Sequence, residues 1–465
     1  MHDGAAEDLA AMDARGEPTS ERPTAEVAPG ADTLAADLGG DRALRDQGAA
    51  DAPAAPLDAP RPDAGGACAL PCATASRWAL GAPAEVGAFT GGGVSLVRAV
   101  ATPSGWGLFW QRDEPSAPRR VRVFFAAVDA RGAVTAGPVQ LVELPRLDSR
   151  TQYYSAAWSG DRFGLLVHDN TAVAFYTVTP SGALGPRVSA GPRLMVSTVY
   201  SSEARGQLTG WPGGFLGVLE GDCAGHSCAY AFRLGPTGAP MGSVQNLVDM
   251  DFTHQFWPVA AFDGAGFAIL SVKDVTIPRG GVTTRYLSST GALSSPNVKV
   301  VPMKEYLWDE NPDLAWSGTH FGALWTEVTA RPPSGRPPVS WQVHFATFRR
   351  GASASTLLRD RVLEVTTERA GHGFSTQLHA VGCDWLAQYA RWRPGAEPQV
   401  VFQWLDDAGA VRATLTPFTQ GADALGSSPA LAPAARGSVG VARGARDGDR
   451  WRLLFHLLEP PSCGP

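Results

Sequence analysis

Lysine is almost missing from this sequence, appearing only at 273, 299 and 304, and no stripe of arginine replaces it. Nucleic-acid binding draws on concentrated positive charge, so that class of partner is excluded. No apolar run approaches the roughly 20 residues that a membrane-spanning helix needs. No window sustains a helical period of apolar residues, which argues against helix-rich folds. The six cysteines contain no C-x-x-C pair and form no Cys/His cluster with zinc spacing. G-x-S-x-G, H-E-x-x-H, phosphate-cradling glycine loops and EF-hand loops are likewise missing. Hydrolase triads of that type, zinc peptidases and nucleotide-binding sites therefore have no sequence support.

What is present is glycine and proline, 53 and 37 residues in 465, with 44% hydrophobic and 18% charged residues. That mixture suits a globular fold of many short strands and many turns. Charge is uneven. Residues 1–66 hold fourteen acids and five arginines, a net of −9, while the whole chain carries −6, leaving about +3 for the remainder. The first 66 residues are Ala, Asp, Pro, Gly and Glu with almost no aromatics, and are expected to stay disordered because they bury too little apolar area. They resemble the Asp/Ala/Pro-rich spacers of bacterial surface lipoproteins, although no lipidation cysteine is present. Two domains are thus expected: an acidic tail over 1–66 and a folded domain over 67–465.

An even cysteine set without metal spacing favours disulfides and an oxidising compartment. Cys223 and Cys228 share one loop and are expected to pair, while Cys68, Cys72, Cys383 and Cys463 supply two further bridges of open pairing. Met1-His2-Asp3 does not open a signal peptide, so the expected extracytoplasmic location requires a signal segment absent from this chain. A cytosolic protein with reduced cysteines is the alternative.

From about residue 95 one local pattern recurs: apolar strand, tight glycine turn, aromatic, second apolar strand. Its fullest copies are Ala157-Trp158-Ser159-Gly160-Asp161-Arg162-Phe163-Gly164-Leu165 and Ala315-Trp316-Ser317-Gly318-Thr319-His320-Phe321-Gly322-Ala323. The landmark positions are Trp106, Phe163, Phe215, Phe267, Phe321, Trp385 and Val439, spaced 52 to 64 apart, the length of a four-stranded blade. Each copy continues into a third strand and a second turn, such as Asp129-Ala130-Arg131-Gly132 or Gly235-Pro236-Thr237-Gly238. These units resemble the β-propeller repeats of secreted bacterial proteins that read roughly aWdGt-x-ylvvW. The expected fold is all-β: a single β-propeller of about seven four-stranded blades. The last unit lacks one strand, so Trp78–Phe89 is expected to close the ring against Arg450–Leu457.

Strands alternate in direction, so the blade-to-blade links and second connections share one face. That face collects Tyr154, Tyr200, Phe256, Trp257, Tyr306 and Trp308 with Asp169, Asp222, Asp274 and Glu327. Flat aromatics with scattered carboxylates suit a sugar surface through ring stacking and hydroxyl acceptance. The same residues also read as wedges between sheets and as turn starters. Glu305, Asp309, Glu310 and Asp313 form a candidate cation site, with calcium as the structural ion; no other cofactor is expected. Two functions follow. One is a monomeric, non-enzymatic binding propeller of the cell envelope, recognising a glycan or an envelope protein. The other is a secreted glycoside-active enzyme using two of Glu305, Asp309, Asp313, Glu327 and Asp274.

Overall fold

A computed structural model of the chain describes residues 78–114, 120–145, 154–168, 172–190, 206–223, 226–247, 255–273, 281–293, 298–302, 309–330, 340–350, 355–366, 376–391, 396–419, 429–434 and 437–459. All belong to the second of two compact units, which spans Leu57–Pro465. The expected tail over 1–66 lies outside the described residues. Among the described residues every regular element is a strand, and no helix is long and apolar enough to cross a membrane.

Six sheets are antiparallel meanders of four consecutive strands. Blade 1 runs Val94–Thr102, Gly105–Glu114, Arg120–Asp129 and Val134–Pro145. Blade 2 is Tyr154–Trp158, Phe163–His168, Val173–Val178 and Val188–Ser189; blade 3 is Gly206–Trp211, Gly214–Cys223, His226–Leu234 and Gln245–Asn246. Blade 4 contains Gln255–Phe262, Gly266–Lys273, Gly281–Ser288 and Val298–Pro302; blade 5 contains Asp309–Trp316, Phe321–Ala330, Ser340–Arg350 and Ser355–Thr366. Blade 6 is Gln377–Val381, Asp384–Arg391, Gln399–Leu405 and Val411–Thr419. Blade 7 has three strands of its own, Ala430–Pro433, Val439–Asp447 and Arg450–Glu459. Against the last of these pair Ala79–Leu80 and Ala84–Thr90, with Leu80 opposite Leu458 and Phe89 opposite Trp451. The first strand of every blade packs on the first strand of the next, all the way round to blade 1. The chain is a seven-bladed β-propeller.

The repeat is explained by packing between blades. Trp106, Phe163, Phe215, Phe267, Phe321 and Trp385 are all buried to within 1%. In four blades the residue after the landmark is glycine, and the next blade's landmark ring occupies the space a side chain would fill. A Cβ on Gly107 would stand 2.5 Å from Phe163, on Gly164 2.6 Å from Phe215, on Gly322 2.6 Å from Trp385, and on Gly440 2.8 Å from Trp106. The last of these joins blade 7 to blade 1, as does the Trp106 Nε1–H bond to the Ala432 carbonyl at 2.7 Å. Blade 6 inverts the pair: its socket is filled by Leu386, and blade 7 answers with the smaller Val439, both buried in one cluster. Dense interiors tolerate neither voids nor overlaps, so large meets small at these joints, whereas between blades 3 and 4 Leu216 and Phe267 are buried together.

A second device stitches the innermost strands. The residues opposite landmark-plus-three are Arg98, Ser155, Gln207, Val259, Asp313, Gln377 and Ala430. Four of them accept a backbone N–H from the next blade: Ser155 from Leu208 at 2.9 Å, Gln207 from Ala260 at 2.5 Å, Asp313 from Leu378 at 2.7 Å and Gln377 from Leu431 at 2.9 Å. Innermost strands have no sheet partner on their axial side, so such bonds supply acceptors their backbone would otherwise lack.

Candidate functional site

The chain enters each blade at the same end of the ring, and three innermost strands are deformed there. In blades 1, 4 and 5 the ladder skips a register step, between Ser95 and Arg98, Phe256 and Val259, and Glu310 and Asp313. Each skip sets two residues against one, the pattern of a bulge, which turns side chains away from their regular alternation. Leu96 and Trp257 take the equivalent bulged position with φ of 45° and 49°, the left-handed region that bulky side chains avoid. Such strain persists only where surrounding groups hold it. The Tyr154 hydroxyl from blade 2 donates to the Leu96 carbonyl. Glu220 from blade 3 accepts the Trp257 N–H, Oε2 to N at 3.5 Å.

Glu220 was not among the residues singled out from the sequence. It is 5% exposed, on the second strand of blade 3, two residues before Asp222 and therefore on the same face of that strand. The signal was the recurring acid at this strand end; the period of two extends it inward. Trp257 is half-buried and belongs to none of the seven hydrophobic clusters formed by the described residues.

Arg98 occupies the stitching position of blade 1. Its charge acts on Tyr154 and on Asp313, from blades 2 and 5, which places the guanidinium within Coulomb reach of both. Burial pushes the Tyr154 hydroxyl up, with Arg98 opposing. Asp313 is raised to about 6 by burial, against the N–H bonds from Leu378 and Leu314 and the charge of Arg98. Both of its oxygens are engaged, Oδ1 by Leu314 at 2.9 Å and Oδ2 by Leu378.

Glu327, expected at the binding face, lies inside blade 5. Its Oε2 is 2.8 Å from His344 Nε2, Asp360 stands 3.5 Å from Nδ1, and Trp325 stacks on the imidazole at 5.2 Å. Burial pulls His344 down, but the two carboxylates outweigh it and lift the imidazole to about 9. A raised folded value above the ordinary ~6.5 stabilises fully below that pH and fades as pH climbs towards 9. The melting temperature of the wild type should therefore fall over pH 7 to 9 faster than that of a His344→Gln variant. Parallel melting curves would exclude this role.

Of the remaining expected site residues, Phe256, Asp222, Asp309, Glu310 and Cys223 lie on described strands, with only their backbone placed. Tyr200, Tyr306, Trp308, Asp169, Asp274, Glu305, Cys68, Cys72 and Cys463 lie outside the described residues. Among the described residues no cysteine is free, and Cys228 and Cys383 are each in a disulfide.

No family model matches the chain, and no curated protein does. Solved structures similar to it include the polysaccharide lyase Uly1, 10% identical over 80% of this chain and 90% of that one, with a TM-score of 0.47. The Dos1 propeller is 10% identical over 80% and 94%, TM-score 0.40. A subtype N11 neuraminidase-like protein of A/flat-faced bat/Peru is 9% identical over 84% and 95%, TM-score 0.38.

What the rim can do follows from its groups. Trp257 is strained and partly exposed, and its backbone N–H points at the buried carboxylate of Glu220. Tyr154, by contrast, is 1% exposed with its hydroxyl on Leu96, so its part here is to hold the blade 1 bulge.

Proposed function

We propose that this chain is a binding propeller of the bacterial cell envelope whose axial rim recognises a glycan, without catalysing its cleavage. The observation that carries the reading is Trp257, forced to a φ of 49° at a bulge and tethered to Glu220. A folded chain retains such strain where it aims a side chain, and a sugar ring stacks on an indole while its hydroxyls need acceptors. An extracytoplasmic setting agrees with the disulfides at Cys228 and Cys383. Asp313 argues against its own use as the acid of a glycoside-active site. Its raised value suits a proton donor, yet both oxygens already accept backbone N–H groups.

The test is a glycan array followed by calorimetric titration of each hit. Trp257→Ala should weaken binding about tenfold or more, and Glu220→Gln by a smaller factor, with melting temperatures kept close to wild type. A wild-type chain that binds no glycan, or a Trp257→Ala variant of unchanged affinity, defeats the proposal. Chromogenic glycosides turned over above background would move the reading to an enzyme.

A further inference from the structure

At the end of the ring opposite Trp257, blades 5 and 6 meet through two turns, the tight one over 317–320 and the one that opens at Asp406. The residue before the landmark is glycine in three blades and histidine in blade 5 alone, at His320. The residue after the second-turn opener is Ala130, Pro180, Pro236 or Ser289 in blades 1 to 4, and Asp407 in blade 6. Joints of the same architecture are built without a histidine and a carboxylate at these places, so packing alone does not call for them.

His320 is 3% exposed, with the Trp385 ring edge-on at 5.4 Å. Its Nδ1 is 2.8 Å from the Thr319 hydroxyl, and its Nε2 is 3.2 Å from Asp407 Oδ1. The second contact has the distance of an ion pair without the alignment of a hydrogen bond, so Asp407 acts through its charge. Negative charge beside Nε2 favours the tautomer with its hydrogen there, and the Nδ1 lone pair then accepts from Thr319 Oγ1. Ser317 does not compete, because its hydroxyl has the His320 carbonyl at 3.0 Å and Nδ1 only at 3.4 Å. Asp406 holds its own turn by accepting the Ala410 N–H at 2.7 Å, while Asp407 reaches across the joint. Burial pulls His320 below the ordinary imidazole value, with Asp407 opposing and the charge of Arg349 adding to the depression. The imidazole is therefore neutral near neutral pH and able to take a proton. Thr319 itself is exposed, so an incoming molecule can reach Oγ1.

We propose that Thr319, His320 and Asp407 form an acyl-transfer site for small activated esters, with Thr319 as nucleophile, His320 as its general base and Asp407 as the positioning residue. Oγ1 bonds to the ester carbonyl carbon as its proton passes to Nδ1. The bond from that carbon to the leaving oxygen then breaks, and the alcohol departs with the same proton. Water completes the cycle: its oxygen bonds to the acyl carbon, its proton goes to Nδ1, and Oγ1 recovers that proton as the acyl–threonine bond breaks. Ester and water thus give acid and alcohol. The imidazolium formed midway carries its charge beside Asp407, where the contact strengthens.

The probe is para-nitrophenyl acetate with the full chain, read as nitrophenolate release and, after acid quenching, as acetylated peptide by mass spectrometry. Acetyl should be found at Thr319, and Thr319→Val should lower release about tenfold or more. Thr319→Ser should keep both the release and the adduct at that position. Asp407→Asn removes the charge that raises His320, so the release rate should reach its plateau at a lower pH than in wild type over about pH 5 to 9. A structural clip between turns would leave that profile unmoved. His320→Gln should abolish the adduct; should that variant not fold, Thr319→Val decides, since it alters only an exposed hydroxyl. Acetyl found only on other residues, unchanged release in Thr319→Val, or an Asp407→Asn profile that coincides with wild type overturns the proposal.

Discussion

Replacing Trp385 by valine should lower stability by roughly 2–4 kcal/mol, and adding Gly322→Leu to it should return a good part of that loss. Trp385 is fully buried at the joint between blades 5 and 6, edge-on to Phe345 at 5.7 Å and to His320 at 5.4 Å. Its removal leaves a void against Gly322, where even a single Cβ now stands 2.6 Å from the indole. Gly322→Leu alone should therefore cost roughly 1–3 kcal/mol by overpacking. The double variant reproduces the arrangement already used at the next joint, Leu386 against Val439. Denaturant midpoints of the four proteins give the coupling. A favourable coupling of at least about 1 kcal/mol is expected, since the residues share one space. Strict additivity would mean that the glycine is not the socket of the ring.

That joint also shows how the fold was legible. The aromatic-glycine dipeptides at 106–107, 163–164 and 321–322 repeat because each glycine receives the ring of the following blade. A contact between successive repeats therefore leaves a trace in four of the seven repeats, and the recurring landmark spacing supplies blade number and order. Val439, the weakest copy in the sequence, has no aromatic ring and is buried in one cluster with Leu386. The glycines of the second turn, such as Gly132 and Gly238, were readable for a different reason, since φ values of 82° and 89° admit few other residues.

The rim was less legible. Tyr154 and Glu327 are aromatic and acidic at the expected positions, yet one holds a strained carbonyl and the other neutralises a histidine. Residue type and blade position do not say whether a side chain faces the axis or a neighbouring sheet; that depends on local register. Bulges shift the register in blades 1, 4 and 5, and nothing periodic announces them, because each adds one residue at a strand entry where length already varies. Arg98 became visible only once equivalent ladder positions could be compared round the ring.

Asp313 and His379 should give the stability profile two opposed slopes in acid, each revealed by replacing the other. Burial raises Asp313 to about 6, against an ordinary carboxyl value of ~3.9. Between those limits the native carboxyl keeps a proton that the unfolded chain has lost. Its contribution therefore grows by roughly 3 kcal/mol as pH falls from 6 to 4. His379, on the innermost strand of blade 6, is depressed to about 4 by burial, with a hydrogen bond to the Leu431 backbone opposing. Here the unfolded chain takes up a proton that the native imidazole refuses, so roughly 3 kcal/mol is lost as pH falls from ~6.5 to 4. Relative to wild type, Asp313→Asn should become progressively worse over that interval and His379→Gln progressively better. Both variants start from a lower stability: the asparagine amide turns an N–H towards a backbone N–H, and the glutamine must fit an imidazole's space. The readout is accordingly the slope, from urea midpoints at pH 4, 5, 6 and 7. Two variant curves parallel to wild type would show that neither group titrates inside the folded ring. Slopes of the same sign would show that only one of the two is buried in the way the inner strands place it.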